Sequence, residues 1–496
     1  MDRPILNPLA LELANSERLS AFLEALPARA RVSEPALPLV LAALHERLEK
    51  PLLVLTPEDA DARDAAEAAG WYIGEDRVAL LPSRGVGWES GLDPPPHLVG
   101  ERARALDVLA AGGLVCASAT AIAEGMPPPD ARPDPISLAV GDEPGLDSLA
   151  ERLALAGYER VEQVDERGQF AVRGGLIDVF PTTGREPLRI ELFGDEIEGI
   201  RAFSPFTQRT LHPVDGAFLY PAAERRSDLV EPQLLDEGEL PAAPADLVPI
   251  VPSGPDFVWQ PDEVRQVWQE ELGQELPILK GVAELDPLPS GQPFSFEAQR
   301  PAIAARGLSE AENELRAFVR AGQRVFVTFP HRGEALRTEG MLRRAEARVV
   351  ETGEDVPAEA EVLFAVSPAR RGFVWRDLGI VLLPDTQVFR KRLPRRTAPS
   401  VGRALQSFAD LRTGDYVVHE DHGVGKLLGF ETREVAEVTR DYLLLGFRGD
   451  DRLYVPHEQV GKVSRYVGVD GNAPALSKLG GKAWHLLKTR ARASVR

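Results

Sequence analysis

Short apolar runs alternate with longer amphipathic stretches through the first 130 residues. The runs 52–55, 78–81 and 114–117 have the length and composition of buried strands. Residues 60–69 and 101–111, which lie between these runs, carry apolar residues at helical spacing. Because strand and helix alternate, the pattern predicts an α/β domain with a largely parallel sheet.

A second pattern fills residues 168–198, where apolar and polar residues alternate in short segments separated by glycine and proline. This pattern predicts a meander of short antiparallel strands. Arg173 and Arg189 interrupt otherwise apolar strands, and Phe193 lies beside a Gly194-Asp195 turn. We expect both arginines to project onto the solvated face of the sheet, where an arginine and aromatic surface suits partner recognition.

Two further units follow along the chain. Residues 305–389 again alternate strand-like and helix-like segments and predict a small α/β unit. The basic run 390–396, which reads RKRLPRR, is interpreted as a solvated linker in preference to a nucleic-acid contact. Short strands and frequent glycines between 413 and 467 predict a small twisted β-barrel. Asp450 and Asp451 are placed in one of its hairpin turns.

Composition limits the kind of protein. A chain of 496 residues is too long for one core, so several domains are expected. The formal net charge of -20 argues against a broad attraction for duplex phosphates. The single Cys116 lies in an apolar run and is expected to be a buried, inert thiol. Because no leader peptide and no apolar run of about 20 residues is found, we expect a soluble cytoplasmic protein with no membrane partner.

No motif supplies the parts of a catalytic site. A nucleotide-driven motor needs a glycine-rich loop that ends in Gly-Lys-Ser/Thr. The slot expected for this loop, after a strand at 29–32, reads Ser33-Glu34-Pro35 and lacks both the lysine and the glycines. Proline removes an amide donor and Glu34 repels phosphate, so we expect a degenerate nucleotide slot that binds no ATP.

Two histidines close together in the sequence are candidate metal ligands, but their context does not favour a metal site. His419 and His422 have no cysteine nearby and lie at a strand end instead of on a helix face. The sequence therefore predicts no catalytic residue, no metal site and no cofactor in this chain.

The segment 168–198 resembles the module shared by the nucleotide-excision-repair helicase UvrB and the bacterial transcription-repair coupling factors. The resemblance continues through Arg201, Phe203, Gln208, Arg209 and Thr210. It implies docking onto UvrA, and Arg173, Arg189 and Phe193 match positions that the family uses for this contact. It also implies that the module is inserted into a UvrB-like, degenerate RecA-like α/β domain, which a helical return segment through Trp259 and Trp268 completes.

Residues 413–467 resemble the CarD-type RNA-polymerase-interacting domain, with its Tudor-like barrel. Four blocks carry the resemblance, in order Val417-Val418-His419, His422-Gly423-Val424-Gly425, Leu453-Tyr454-Val455-Pro456 and Ser464-Arg465-Tyr466. The family's domain binds the RNA polymerase β subunit through a strand edge, which in physical terms is β-augmentation. The candidate edge is the strand after Gly425, with Lys426, Leu427, Leu428 and Phe430, although these residues could equally fill the barrel interior.

The chain combines a degenerate phosphate loop with a CarD-like domain. This combination indicates a coupling factor and not UvrB, because UvrB itself would carry an intact loop. The expected domains are 1–130, first part of the UvrB-like domain; 131–212, UvrA-binding module; 213–304, return segment; 305–396, small α/β domain with the basic linker; 400–469, CarD-like domain; and 470–496, the start of a helix toward a motor that this chain lacks. The resemblance implies the N-terminal adaptor portion of a protein whose motor uses ATP and Mg²⁺ and makes most of the DNA contacts. The alternatives are a UvrB-like ATP-dependent repair helicase and a CarD-like transcription regulator.

Overall fold

The computed structural model describes residues 3–90, 92–205, 208–229, 243–248, 250, 257–261, 264, 282–286, 293–303, 305, 307–350, 352, 359–389, 416–419, 422–435, 438–449, 451–456, 463–465 and 476. The chain divides into two compact units, one formed by Met1–Arg132 with Glu231–Pro394 and the other by Pro133–Val230 with Arg395–Arg496. Each unit is a mixture of sheets and helices, so the predicted multidomain α/β class is confirmed.

The helices of the described residues, in chain order, are α1 Asn7–Ala14, α2 Glu17–Glu24, α3 Leu37–Leu48, α4 Asp59–Ile73, α5 Pro96–Ala110, α6 Ala119–Ala123, α7 Leu146–Leu155, α8 Leu308–Arg320, α9 Arg332–Met341 and α10 Asp385–Val388. The strands of the first unit are β1 Ala28–Val32, β2 Leu52–Thr56, β3 Val78–Leu81, β4 Leu114–Ser118, β13 Phe257–Pro261, β14 Val282–Asp286, β15 Phe294–Phe296, β16 Arg324–Phe329, β17 Ala347–Val350, β18 Val362–Val366, β19 Phe373–Trp375 and β20 Ile380–Pro384. Those of the second unit are β5 Ile136–Ala139, β6 Glu159–Arg160, β7 Gln169–Arg173, β8 Leu176–Val179, β9 Leu188–Phe193, β10 Glu196–Phe203, β11 Thr210–Val214, β12 Gly216–Leu219, β21 Tyr416–His419, β22 Gly423–Val435, β23 Val438–Gly446, β24 Arg452–Pro456 and β25 Val463–Arg465.

The first unit begins with a seven-stranded parallel sheet in the order β15-β1-β14-β13-β2-β4-β3. Every residue of β2 and β4 is buried, as expected for strands covered on both faces. Strands β13 and β14 come from the segment after residue 250 and lie between β1 and β2. The predicted return helix is therefore wrong at Trp259, which lies in β13 opposite Val54. Phe257, Val258 and Trp259 are residues that favour strands; Trp268 lies outside the described residues.

A second sheet in the same unit has the order β17-β18-β16-β20-β19. Its side chains alternate between two cores, as the two-residue period of a strand requires. Phe326, Leu363 and Trp375 point into the core that also contains α1–α4, whereas Val325 and Phe364 point into the core that contains α8. Helices α1–α4 thus share one apolar cluster with both sheets. This cluster contains residues from both sides of the boundary predicted near residue 305.

The second unit contains a six-stranded sheet in the order β11-β10-β9-β8-β7-β6 and a two-stranded ribbon of β5 and β12. Its strands are antiparallel except for β6 and β7, so the predicted meander is present. One face of the sheet packs on α7 and the ribbon through Ile177, Ile190 and Ile200. Strand β12 lies beyond the predicted boundary at residue 212 and pairs with β5 of the predicted module.

A five-stranded antiparallel sheet, β24-β23-β22-β21-β25, forms the rest of the described second unit. The four predicted strands are present and β25 is an addition. The described pairing has two ends, at β24 and β25, so closure into a barrel stays a prediction. The basic run 390–396 and all of 470–496 except Leu476 lie outside the described residues. Within the described part of the chain, no helix combines the length and apolar character of a membrane span.

Candidate partner-docking sites

The six-stranded sheet of the second unit has one face turned away from its main core. Residues directly opposite each other on antiparallel strands share a face, so the pairs Arg173 with Leu176 and Leu176 with Glu191 lie on this outer face. Phe193 follows two residues after Glu191 on the same strand and therefore also lies there. We call the exposed part of this surface, with Arg173, Leu176, Glu191, Phe193 and Arg201, the Phe193 face.

Phe193 is the most exposed large apolar side chain among the described residues, with 77% of its surface accessible. It ends β9, and the following Gly194 has φ 64°, a left-handed conformation that suits glycine in a tight turn between β9 and β10. The turn holds the ring outside the core. The predicted position of Phe193 beside a turn is confirmed.

Arg173 is exposed at the end of β7, as predicted. Its Nε donates a hydrogen bond to the backbone carbonyl of Glu162 at 3.0 Å, and one terminal nitrogen donates to the same oxygen. A neutral carbonyl leaves the positive charge of the guanidinium uncompensated. Arg173 therefore presents a cation at the margin of the Phe193 face.

Arg189 does not project into solvent, contrary to the sequence expectation. Its side chain is only 18% exposed, and it forms a bidentate ion pair with Asp178, with Nε to Oδ1 at 2.7 Å and a terminal nitrogen to Oδ2 at 2.8 Å. The guanidinium also lies over the Phe203 ring, 4.8 Å from its centroid. The hydrogen bonds to Asp178 raise the pKa of Arg189 above its ordinary value, against the opposing effect of burial. Arg189 is held inside the module by its own neighbours.

Asp178 is the partner that sequence reasoning missed. It is 4% exposed and lies directly opposite Arg189, because β8 pairs with β9 in that register. The signal was present, since Asp178 interrupts the run 176–180 just as Arg189 interrupts 188–192. Opposite charges at facing positions of neighbouring strands stabilise each other.

Arg201 and Glu191 complete the Phe193 face. The Arg201 Nε lies 3.7 Å from a Glu191 carboxylate oxygen, and both side chains are substantially accessible. Such exposed pairs contribute about 0–1 kcal/mol, so they can exchange partners at little cost. The face thus combines an exposed aromatic ring with two accessible arginines.

The expected nucleotide slot lies between β1 and α3 and is occupied by the protein's own contacts. The Ser33 hydroxyl donates to the Ala298 carbonyl at 2.9 Å and accepts from the Ala298 N–H at 2.8 Å. The Ser33 N–H donates to the Phe296 carbonyl at 3.1 Å, and Glu34 forms an ion pair with Arg300. Pro35 has no N–H to offer. Ser33, Glu34 and Pro35 therefore present no ring of free amides such as a phosphate needs.

In the five-stranded sheet β24-β23-β22-β21-β25, the predicted edge strand is an interior strand over its first part. At Lys426, β22 pairs with Tyr416 of β21 on one side and with Gly446 of β23 on the other. Leu427 is fully buried in the core of the sheet, so the alternative of an interior position is correct for this residue. Because both ladders include Lys426, this residue cannot form a free edge, and Leu427 pairs with Leu445 of β23.

From Leu428 onward, β22 pairs only with β23 among the described strands. Leu428 follows at a register shift and is 41% exposed. A Cβ on Gly446 would approach its side chain to 2.9 Å, so the glycine leaves room for this leucine. Phe430 lies on the same stretch of backbone, but its side chain is outside the described residues.

His419 lies at the end of β21, and Cys116 lies in the buried strand β4. The rings of His419 and His422 lie 4.7 Å apart, and no group of three or more potential metal ligands occurs among the residues that the structure describes. Cys116 is buried, and burial raises the pKa of its thiol. The thiol is therefore protonated and inaccessible at neutral pH.

Two domain families match the chain in the regions just described. Residues 136–224 match the UvrB interaction domain and residues 411–467 match the CarD-like/TRCF RID domain. A solved structure described as CdnLNt from Myxoccoccus xanthus is 28% identical, covering 13% of this chain and 90% of its own, with a TM-score of 0.12.

Longer relatives match the whole chain. Transcription-repair-coupling factors of Mycobacterium bovis and Mycobacterium tuberculosis are each 30% identical over 100% of this chain and 49% of their own length. The Bacillus subtilis transcription-repair-coupling factor is 24% identical over 92% of this chain and 46% of its own. The chain thus spans about half the length of these relatives. Both domain matches and the similarity along the entire chain identify it as a portion of a transcription-repair-coupling factor.

Proposed function

We propose that this chain is the N-terminal adaptor portion of a transcription-repair-coupling factor, which binds stalled RNA polymerase and recruits UvrA to damaged DNA in the cytoplasm. The observation that carries the proposal is the presence, in one chain, of a UvrB interaction domain and a CarD-like/TRCF RID domain. An ATP-driven motor in the remaining half of the protein would displace the polymerase and make most of the DNA contacts. The adaptor contributes the two partner surfaces.

The Phe193 face is the proposed UvrA-docking surface. A protruding ring next to arginines is the residue combination that dominates the energy of protein interfaces, because rings bury large areas and guanidinium groups make directional bonds. Phe193 would enter an apolar pocket, while Arg173 and Arg201 would meet acceptors on its rim. The acidic chain as a whole, with a net charge of -20, makes these local cations distinctive.

Replacing Phe193 with alanine is expected to weaken UvrA binding by about 30-fold or more, because a central aromatic anchor contributes about 2 kcal/mol or more. Calorimetric titration of the variant chain with UvrA measures this loss. Phe218→Ala is the matched control, since Phe218 is also an exposed ring of the second unit, 50% accessible on β12. Unchanged affinity in Phe193→Ala, or an equal loss in Phe218→Ala, would contradict the proposed surface.

The CarD-like sheet is the proposed polymerase-docking site, with the polymerase β subunit as the partner. Support comes from the match of residues 411–467 to the CarD-like/TRCF RID domain and from Leu428, an apolar side chain on β22 that is 41% exposed. An extended segment of the β subunit could add there as a further strand, with main-chain hydrogen bonds giving affinity and Leu428 giving a side-chain contact.

Leu428→Asp is expected to reduce binding to the isolated polymerase β subunit at least tenfold, because it places a charge in an apolar contact worth about 1.5–3 kcal/mol. A surface-binding assay with the purified chain measures the change. Arg452→Asp serves as the control, since Arg452 is exposed on β24 at the other end of the sheet. A loss in Arg452→Asp with full binding by Leu428→Asp would move the docking edge to β24.

The seven-stranded parallel sheet is proposed to be a RecA-like fold that has lost its nucleotide site, and the chain is proposed to use no cofactor. The closed contacts of Ser33 with Ala298 support this interpretation. ATP and Mg²⁺ would belong to the motor of the intact protein. Calorimetric detection of tight ATP binding by this chain would instead favour a UvrB-like helicase.

A further inference from the structure

We propose that Asp178, a buried residue, positions the Phe193 face for docking by holding and neutralising Arg189. This inference rests on the proposed UvrA-docking function of the module. It assigns Arg189 a role within the module, in which the held guanidinium organises the surface that carries Phe193.

The first step is the fixed geometry of Arg189. Both carboxylate oxygens of Asp178 are bonded to its guanidinium, at 2.7 and 2.8 Å. A bidentate pair of this kind fixes the plane of the guanidinium as well as its position. The Phe203 ring, 4.8 Å from the guanidinium carbon, supports the same plane from β10. Three neighbouring strands therefore hold one cation.

The second step is the link to the connection between β10 and β11. A terminal nitrogen of Arg189 donates to the Gln208 carbonyl at 3.4 Å. Gln208 has φ 57°, a left-handed conformation that is uncommon outside glycine, and its N–H donates to the Ser204 carbonyl at 2.8 Å. The same guanidinium thus contacts the described end of this connection.

The third step is electrostatic. Arg201 lies directly opposite Arg189 on the neighbouring strand, and two like charges at facing positions repel each other. Asp178 supplies the negative charge that cancels Arg189. Arg201 is consequently able to stay at the surface, 3.7 Å from Glu191 and on the face that carries Phe193.

Asp178 can therefore affect the Phe193 face although its side chain is only 4% exposed. Removing the charge of Asp178 leaves Arg189 positive and unpaired beneath Arg201. Repulsion then separates the two arginines, and the guanidinium of Arg189 bonds to other acceptors. The arrangement of cations around Phe193 changes as a result. The aromatic ring itself stays in place, because Gly194 and the turn determine its position.

The decisive variant is Asp178→Asn, which preserves shape and removes charge. We expect UvrA affinity of the full chain to fall on the order of tenfold, the size of coupling between contacting charged neighbours. The same substitution in an Arg189→Met background is expected to cause no additional loss, because the charge that Asp178 cancels is gone. A merely structural role of Asp178 would not produce this dependence on Arg189. Asp195→Asn, an exposed carboxylate in the β9–β10 turn, is the matched control and should bind like the parent chain.

The outcomes distinguish this inference from the proposed function. Full UvrA binding by Asp178→Asn, together with lost binding in Phe193→Ala, overturns the positioning role and leaves the docking surface intact. Failure of the parent chain to bind UvrA overturns the proposed function itself. Hydrogen exchange of the β8 and β9 amides monitors folding. If Asp178→Asn unfolds the module, Arg189→Lys is the substitute variant, because lysine keeps the charge but cannot form the bidentate pair. We expect the same tenfold loss of UvrA affinity in Arg189→Lys, and its full binding would overturn the inference.

Discussion

Arg189→Glu is expected to destabilise the UvrB interaction domain by about 3–5 kcal/mol, the cost of removing one partner from a buried ion pair. The substitution places a second carboxylate against Asp178, whose side chain is only 4% exposed. It also removes the cation over the Phe203 ring and the donor to the Gln208 carbonyl. Loss of UvrA binding would then follow from loss of the fold.

Hydrogen exchange of the β8 and β9 amides, combined with denaturant unfolding of the chain, measures this effect. The matched control is Arg201→Glu, an identical charge reversal on the same face of the sheet. Arg201 is half exposed and its pair with Glu191 is long, so a change of about 0–1 kcal/mol is expected. Equal protection of β8 and β9 in both variants would show that the Asp178 pair contributes no more than a surface pair.

The contrast between these two arginines shows what a single sequence can and cannot predict. Both interrupt apolar strands, and the sequence pattern assigns both correctly to the face away from the main core. It cannot say which of them has an acidic residue opposite, because this depends on strand register. The turn between β8 and β9 places Asp178 opposite Arg189, whereas Arg173 faces Leu176.

The strand after Gly425 shows a second limit. Its alternation of residues identifies a strand, and the structure has one from Gly423 to Val435. Edge or interior position depends on the lengths of the neighbouring strands, which the pattern of one segment does not contain. Described pairing with β21 covers β22 from Gly423 to Lys426, so this part of β22 is interior, because β23 pairs with Lys426 on its other side.

Tertiary packing between domains is the third feature that the sequence pattern does not contain. Strands β16, β18 and β20 are apolar on both faces, which predicts burial but not the identity of the covering elements. In the structure, one face packs into the cluster that contains α1–α4. Ion pairs join the same elements: Glu12 of α1 with Arg324 at 2.6 Å, and Arg18 of α2 with Asp377 at 3.2 Å.

Trp375→Ala tests whether this shared core makes the seven-stranded sheet, α1–α4 and the second sheet one cooperative unit. Trp375 is fully buried, and truncation of a large core ring costs about 3–5 kcal/mol. Its Nε1 has no hydrogen-bond partner, so the variant also removes an unpaired buried donor and the loss should lie near the lower limit. We expect hydrogen exchange to increase together in α1, α4 and β16–β20.

Phe364→Ala, on the opposite face in the α8 core, is expected to affect the second sheet more than α1 and α4. If Trp375→Ala left the exchange of α1 and α4 unchanged, the two sheets would be energetically separate domains, because an apolar cluster that stabilises both must transmit its loss to both.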